Sequence, residues 1–311
     1  MTNRILTITL NPAIDVTYRV KALRVGETVR VPEVRSRAGG KGVNVAAVVK
    51  ALGGDSIALA LTTTAAPDEF RSGLEELAIT HRLVPALASV RRTVAVVAED
   101  GTTTSLQENG FPAVEGAEEA IAAALRDELK AGAGAVVISG SVPAGMSPDV
   151  PARLTKLCAE FDVPVIADVS GPALRAVAPS GAVLMPNQDE LAELDGRTGV
   201  AACRDLVAGG AVAVVATAGP DGVVAVTAAG TWQAWPVEVV SGNPTGAGDA
   251  AAAALALHLA EATRVEGVDW VAALADVVAT SAAAVLRPVA GEIDLAARGR
   301  WIPLTTVKEV R

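Results

Sequence analysis

A chain of 311 residues with 51% hydrophobic content can bury a large core as one α/β domain. Its formal net charge of −9 and the absence of any Lys/Arg run exclude the concentrated basic footprint that nucleic-acid binding requires, and 3% aromatic residues leave little on which to stack bases or sugars. Recognition of a polar ligand therefore falls mainly to hydrogen bonds.

The two cysteines, Cys158 and Cys203, lie far apart, each in a segment that reads as helical, which fits a reducing cytoplasm. Residues 4–10 are too short and polar a run for a signal peptide. Asp276 interrupts the best apolar stretch before it reaches the roughly 18 residues of a membrane span. A soluble cytoplasmic protein with no membrane or nucleic-acid partner is expected.

Short β-branched runs alternate with longer Ala/Leu/Glu segments. Residues 5–9 read as a strand, 43–52 as a helix, 57–61 as a strand and 68–78 as a helix. The alternation continues at 135–138, 148–161, 164–167, 182–184, 188–194 and 211–216, which predicts parallel βαβ crossovers. Residues 16–37 and 92–106, the second turning at Asp100-Gly101, instead show period-two patterns with no helix between them. These predict antiparallel strands projecting from the sheet edge as a lid or dimer-forming flap. Residues 222–240 predict a further hairpin, and 245–286 predict helices separated at 261–269. The α/β core then takes residues 1–11, 38–90 and 107–311, and the lid takes 12–37 and 91–106. Ligands of such open sheets bind at the carboxyl ends of the strands, so the loops there are where chemistry is expected.

Gly246-Ala247-Gly248-Asp249 opens the long alanine-rich segment. Amides freed at a helix start make an anion site, and a carboxylate beside them can take a proton from a hydroxyl as a phosphoryl group arrives. The same run satisfies the G-x-G-x-x-A dinucleotide fingerprint, but no strand follows the helix at 261–269, which disfavours a nicotinamide enzyme. A glycine-rich helix cap is the ordinary alternative. Asp15, directly after the first strand, reads by itself as a turn aspartate; a carboxylate there can also bind two neighbouring sugar hydroxyls.

Ala38-Gly39-Gly40-Lys41-Gly42-Val43-Asn44 allows a ligand close to the backbone. It is no Walker A loop, because Gly42 stands where Ser or Thr should bind magnesium. With Asp15 it looks like a sugar site. Asn187 and Glu190 fall three apart on one helix face and can hold magnesium through its water shell; a capped helix start with an acidic first turn reads equally well. Arg30 and Arg92 are uninformative by themselves. His81 and His258 stand apart without metal-ligand spacing and read as structural or solvated.

Taken in order, residues 11–15, 38–44, 139–145, 186–190, 217–222 and 243–249 resemble the motifs of the ribokinase-like (PfkB) carbohydrate kinases. The match covers nearly the whole chain and looks most like the hexose-phosphate branch with 1-phosphofructokinase and tagatose-6-phosphate kinase. The resemblance implies a ribokinase-like α/β fold: a mostly parallel Rossmann-like sheet flanked by helices, with a small antiparallel β lid serving also as a homodimer surface. It implies an ATP- and Mg2+-dependent kinase phosphorylating a ketohexose phosphate, foremost fructose 1-phosphate. Asp249 would be the base and Gly246, Ala247 and Gly248 the anion hole. Asp15, Gly39, Gly40, Asn44 and Ser139 would bind the sugar, and Lys41, Arg92 and Arg30 its phosphate. Thr217, Gly219 and Gly222 would lie near ATP, with Asn187 and Glu190 organising Mg2+. Three departures stand out: no Gly-x-x-Gly-x-Asp in 60–68, Met185 in place of a lysine, and Ser105 where tagatose-phosphate kinases carry an acid. They leave room for a sugar-phosphate-sensing protein with weak catalysis.

Overall fold

The run Ile5–Thr9 forms β1, and all five of its residues are buried, as befits a strand covered by helices on both faces. The structure, a computed structural model, describes residues 4–310. The chain continues through β2 (Ala13–Val20), β3 (Glu33–Gly39), β4 (Ser56–Thr63), β5 (His81–Leu87), β6 (Arg91–Ala98) and β7 (Thr103–Gln107). It then runs through β8 (Ala135–Ser139), β9 (Val165–Asp168), β10 (Val183–Leu184), β11 (Ala213–Thr217), β12 (Val223–Thr227), β13 (Thr231–Trp235) and β14 (Thr306–Glu309).

Among the described residues these strands form two sheets. The large one runs β14-β13-β12-β11-β10-β9-β8-β1-β4-β5, parallel from β11 to β5 and antiparallel from β11 outward to β14. Alternate side chains of β1 enter two separate cores. Leu6 and Ile8 meet the helices Ala117–Ala131, Val150–Ala159 and Gly171–Val177, whereas Ile5 meets Lys41–Ala51, Ala247–Ala262 and Trp270–Val285. The run Ala250–Ala254 is fully buried. Alanine is the best helix former and carries little bulk, so this helix lies close against the strands and fixes where its N-terminus points.

The small sheet runs β3-β2-β6-β7. Both hairpins are antiparallel, as their period-two patterns predict; they join through a parallel β2–β6 pairing that the patterns do not show. β2 and β6 each follow a core strand at the same end of the sheet and leave in the same direction. The predicted hairpin at 222–240 is β12–β13, and the two C-terminal helices part at 263–269. β5 escapes the sequence reading because His81, Arg82 and Pro85 break its apolar pattern; as the outermost strand it tolerates a proline. The helix Ala117–Ala131 was also not singled out. Cys158 and Cys203 are free and buried in helices, and burial pushes their thiols up to about 12 and about 11. No helix among the described residues is long and apolar enough to cross a membrane.

Asp276, which interrupts the apolar segment, ties three helices together. Its carboxylate accepts from Arg298 Nε at 2.9 Å and Nη2 at 2.8 Å, from Thr280 Oγ1 at 2.7 Å, and pairs with His258 Nε2 at 3.2 Å. Burial would push this carboxyl up, but the His258, Arg298 and Thr280 bonds bring it down to about 2. The folded value lies below the unfolded one, so the stabilisation is complete above about pH 4 and is lost as pH falls towards 2. Asp276→Ala strands the mostly buried Arg298 guanidinium and is expected to cost about 3–5 kcal/mol, seen as a lowered thermal midpoint at pH 7. An unchanged midpoint would show the cluster to be energetically idle.

Candidate functional site

The first turn of the helix Ala247–Ala262 stands between two cavities. Gly246, Gly248 and Asp249 line one of about 480 Å3, and Ala247 lines the other, of about 490 Å3. Gly246 caps the helix at φ +86, and a side chain there would press within 2.7 Å of Ala290. At Gly248 no atom beyond its chain neighbours and its own helix backbone lies within 4 Å of where a Cβ would be, so the positive end of the helix borders open space there.

Asp249 is buried, and its Oδ2 accepts a 2.9 Å bond from Asn44 Nδ2. Burial raises the Asp249 carboxyl to about 7; nearby Lys41 opposes the rise, while Asp168 and Asp15 add to it. Removal from water dominates, and the group is poised near neutrality. Asn44 Oδ1, also buried, has no partner among the described residues, an acceptor left open beside the carboxylate.

Lys41, the first residue of the helix Lys41–Ala51, places Nζ 3.0 Å from Asp168 Oδ1, and Ser139 Oγ donates to Asp168 Oδ2 at 2.8 Å. Burial would lower the lysine, but Asp168, Asp249 and Glu190 hold it above its ordinary range. Sequence reasoning missed Asp168, at the carboxyl end of β9; its strand-end position was the available signal. Lys41 lines the cleft, whereas Asp168 and the expected sugar residue Ser139 are buried behind that lining.

The lid supplies the opposite wall. Asp15 sits in register with Arg37 on β3 and Thr93 on β6, and Thr93 Oγ1 donates to Asp15 Oδ1. A Cβ on Gly39 would run into the Asp15 carboxylate, which explains that glycine. Burial pushes the Asp15 carboxyl up, with Thr93 and Arg37 opposing. The structure places two of the expected cations away from the cleft lining. Arg92 lies outside the cleft lining and pairs with Glu69 at 2.7 Å, and Arg30 is exposed in the β2–β3 connection. Arg91 and Arg37 line the cleft instead. A one-residue step along a strand reverses the face, and the adjacent pair Arg91-Arg92 hides that choice. Arg91 bonds the carbonyls of Glu108 and Asn11, and Arg37 reaches only that of Ala38. Among the described residues neither has a carboxylate at ion-pair distance.

Asn187 and Glu190 also line the cleft, and both halves of a capping box are formed: Asn187 Oδ1 accepts from Glu190 N at 2.8 Å and Glu190 Oε2 from Asn187 N at 2.9 Å. Burial raises the Glu190 carboxyl, opposed by Lys41. Gly219 and Gly222 line the second cavity, whereas Thr217 is outside its lining and is bridged to Asn187 of the first. Of the three departures, Thr62 bonds the helix cap Asp68, Met185 is buried in the core, and Ser105 lines the cleft without a charge. The histidines take structural places, His81 on the Ile79 carbonyl and His258 on Asp276.

The family model described as pfkB family carbohydrate kinase matches residues 6–296. A 1-phosphofructokinase of Xanthomonas campestris is 33% identical over 279 residues, covering 86% of this chain and 87% of that protein. Phosphofructokinase-2 of Escherichia coli, solved with fructose-6-phosphate, superposes with a TM-score of 0.85 at 26% identity over 97% of this chain and 99% of that one. A possible 1-phosphofructokinase from Thermotoga maritima gives a TM-score of 0.87 at 21% identity, over 99% and 100%, a likeness of fold.

Because Lys41 holds the Asp249 carboxyl down, Lys41→Met is expected to move its titration above 7, measured by carbon-13 NMR of aspartate carboxyls with Asp249→Asn as the assignment control. A titration that stays put or falls would contradict this electrostatic picture.

Proposed function

The chain belongs to the pfkB family of carbohydrate kinases, and on that premise we propose that it transfers the γ-phosphoryl group of ATP to the free primary hydroxyl of fructose 1-phosphate, giving fructose 1,6-bisphosphate. The observation that carries this reading is the placement of Asp249 and the helix start between two cavities, one of them lined by two guanidiniums that, among the described residues, have no carboxylate at ion-pair distance. Asp15 and Asn44 bind the sugar hydroxyls, and Arg91 and Arg37, on the lid side of Asp15, take the phosphate already on the sugar. A dianion there supplies the counter-charge that the fold withholds. The uncharged Ser105 and the 1-phosphofructokinase relative favour fructose 1-phosphate over tagatose 6-phosphate.

In the transfer, the acceptor hydroxyl oxygen bonds to the γ-phosphorus as the bond from phosphorus to the bridging β–γ oxygen breaks and ADP leaves. Asp249 takes the hydroxyl proton, and a carboxyl near 7 is matched to that task at neutral pH. The transition state is loose and spreads charge over the equatorial oxygens, so the amides of 246–249 and Lys41 act by position and field. Gly219, Gly222 and Thr217 hold the nucleotide. Mg2+ would be held through water chiefly by Glu190, since Asn187 Oδ1 is committed to the helix cap, and would neutralise phosphate charge. We also assign the lid as a homodimer surface: Val34 and Leu106 stand 55% and 59% exposed on its strands. One form of the Escherichia coli relative is described as tetrameric. A sedimentation mass of a single chain would rule this assembly out.

Coupled ADP release over a panel of phosphorylated and free ketohexoses tests the reading. Fructose 1-phosphate should be the best acceptor, and Asp249→Ala should lose about 10²- to 10⁴-fold in turnover while still binding ATP. Near-normal turnover in that variant would sink the base assignment. Arg91→Ala should raise the KM for fructose 1-phosphate at least about tenfold with little change for ATP, whereas Arg92→Ala should leave both near wild type. The reverse ranking would return the clamp to Arg92.

A further inference from the structure

The hairpin β6–β7 touches both cavities. Its base carries Arg91 and Thr93 over the acceptor cleft, and its turn, Asp100, Gly101 and Thr102, lines the cavity that contains Gly219 and Gly222. Seven residue steps from Arg91 to Ala98 span roughly 23 Å, enough to reach from one site to the other. The turn is closed on itself: Ala98 N donates to Thr102 O at 2.9 Å, Gly101 N to Ala98 O at 3.0 Å, and Thr102 N to Asp100 Oδ1 at 2.9 Å. It therefore moves with the strands as one piece. Facing it, the segment between β13 and the helix Ala247–Ala262 lines the same cavity with Pro236, Val239 and Val240, and Val239 is 73% exposed at the rim. An apolar slot of this kind fits a flat heteroaromatic base.

The charges have an order as well. The positive end of the helix borders one side of this cavity through Ala247, whose own N–H is held by the Pro244 carbonyl at 3.1 Å, and Asp100 lies at its lid side. Thr102 holds the Asp100 carboxyl below its ordinary range, so it is an anion at neutral pH. A carboxylate repels phosphates and accepts hydrogen bonds from the hydroxyls of a ribose.

We propose that the turn Asp100–Thr102 is part of the nucleotide site: it closes over the nucleoside half of ATP, with Asp100 accepting from the ribose hydroxyls, so that the hairpin holding the acceptor also completes the donor pocket. This rests on the kinase reading of the two cavities. Because one rigid element contacts both substrates, each tightens the binding of the other, and the two factors are equal by linkage.

The test is calorimetric binding of a non-hydrolysable ATP analogue to the full chain, with and without saturating fructose 1-phosphate, and the converse titration. Wild type should show the same tightening in both directions, about 5- to 150-fold. Asp100→Asn keeps the acceptor that caps the turn and removes the charge, and should lose part of that factor. Asp100→Ala should lose most of it, and should weaken analogue binding in the presence of acceptor more than in its absence. Equal tightening in wild type and Asp100→Ala, or no tightening in wild type, overturns the proposal. Failure of wild type to bind fructose 1-phosphate at all would instead strike the acceptor assignment.

Discussion

The buried bond from Asn44 to Asp249 is the contact on which the rest of the site depends. It joins the start of the helix that follows the lid's β3 to the start of the alanine-rich helix, residues far apart in sequence. Without it, a carboxyl removed from water beside Asp168 and Asp15 would have little to fix its direction. The alanine run sets the helix against the strands, the helix sets its amides, and Asn44 sets the acid among them. Site geometry is thus a consequence of core packing.

A different logic governs the lid. Its cleft face carries Asp15 between two guanidiniums, and the core side carries Asp249 near Lys41. Each acid has a cation close by, yet among the described residues Arg37 and Arg91 have no carboxylate in ion-pair contact. Charges kept under-compensated in a cleft cost folding free energy and repay it when a dianionic ligand arrives. Arg92 pairs with Glu69 on the outer side while Arg91 lines the cleft, so one residue of strand parity separates a surface ion pair from a cleft-facing guanidinium.

The parallel core was legible because βαβ alternation is a sequence-local signal, as in β1, β4, β8 and the helix at 41–51. The hairpins were legible for the same reason. β5 was hidden by Pro85, and the parallel β2–β6 join is a long-range pairing that no local pattern carries. Within the site, Lys41, Asn44 and Asp249 at helix starts followed from position and motif, and Asp15, read as a turn residue, stands instead inside β2. Arg37, Arg91 and Asp168 did not follow, because the face a strand residue presents depends on register fixed by its neighbours. Asn187 and Glu190 were read in two ways, and the structure contains the capping box while leaving both in the cleft lining.

A crystal structure of the full chain with fructose 1-phosphate and a non-hydrolysable ATP analogue tests the central claim most directly. The account predicts an Asp249 oxygen about 2.6–3.2 Å from the free primary hydroxyl of the sugar, with the terminal phosphate over the amides of 246–249. A sugar seated with its phosphate, rather than that hydroxyl, against Asp249, or an Asp249 carboxylate turned out of the cleft, would contradict it.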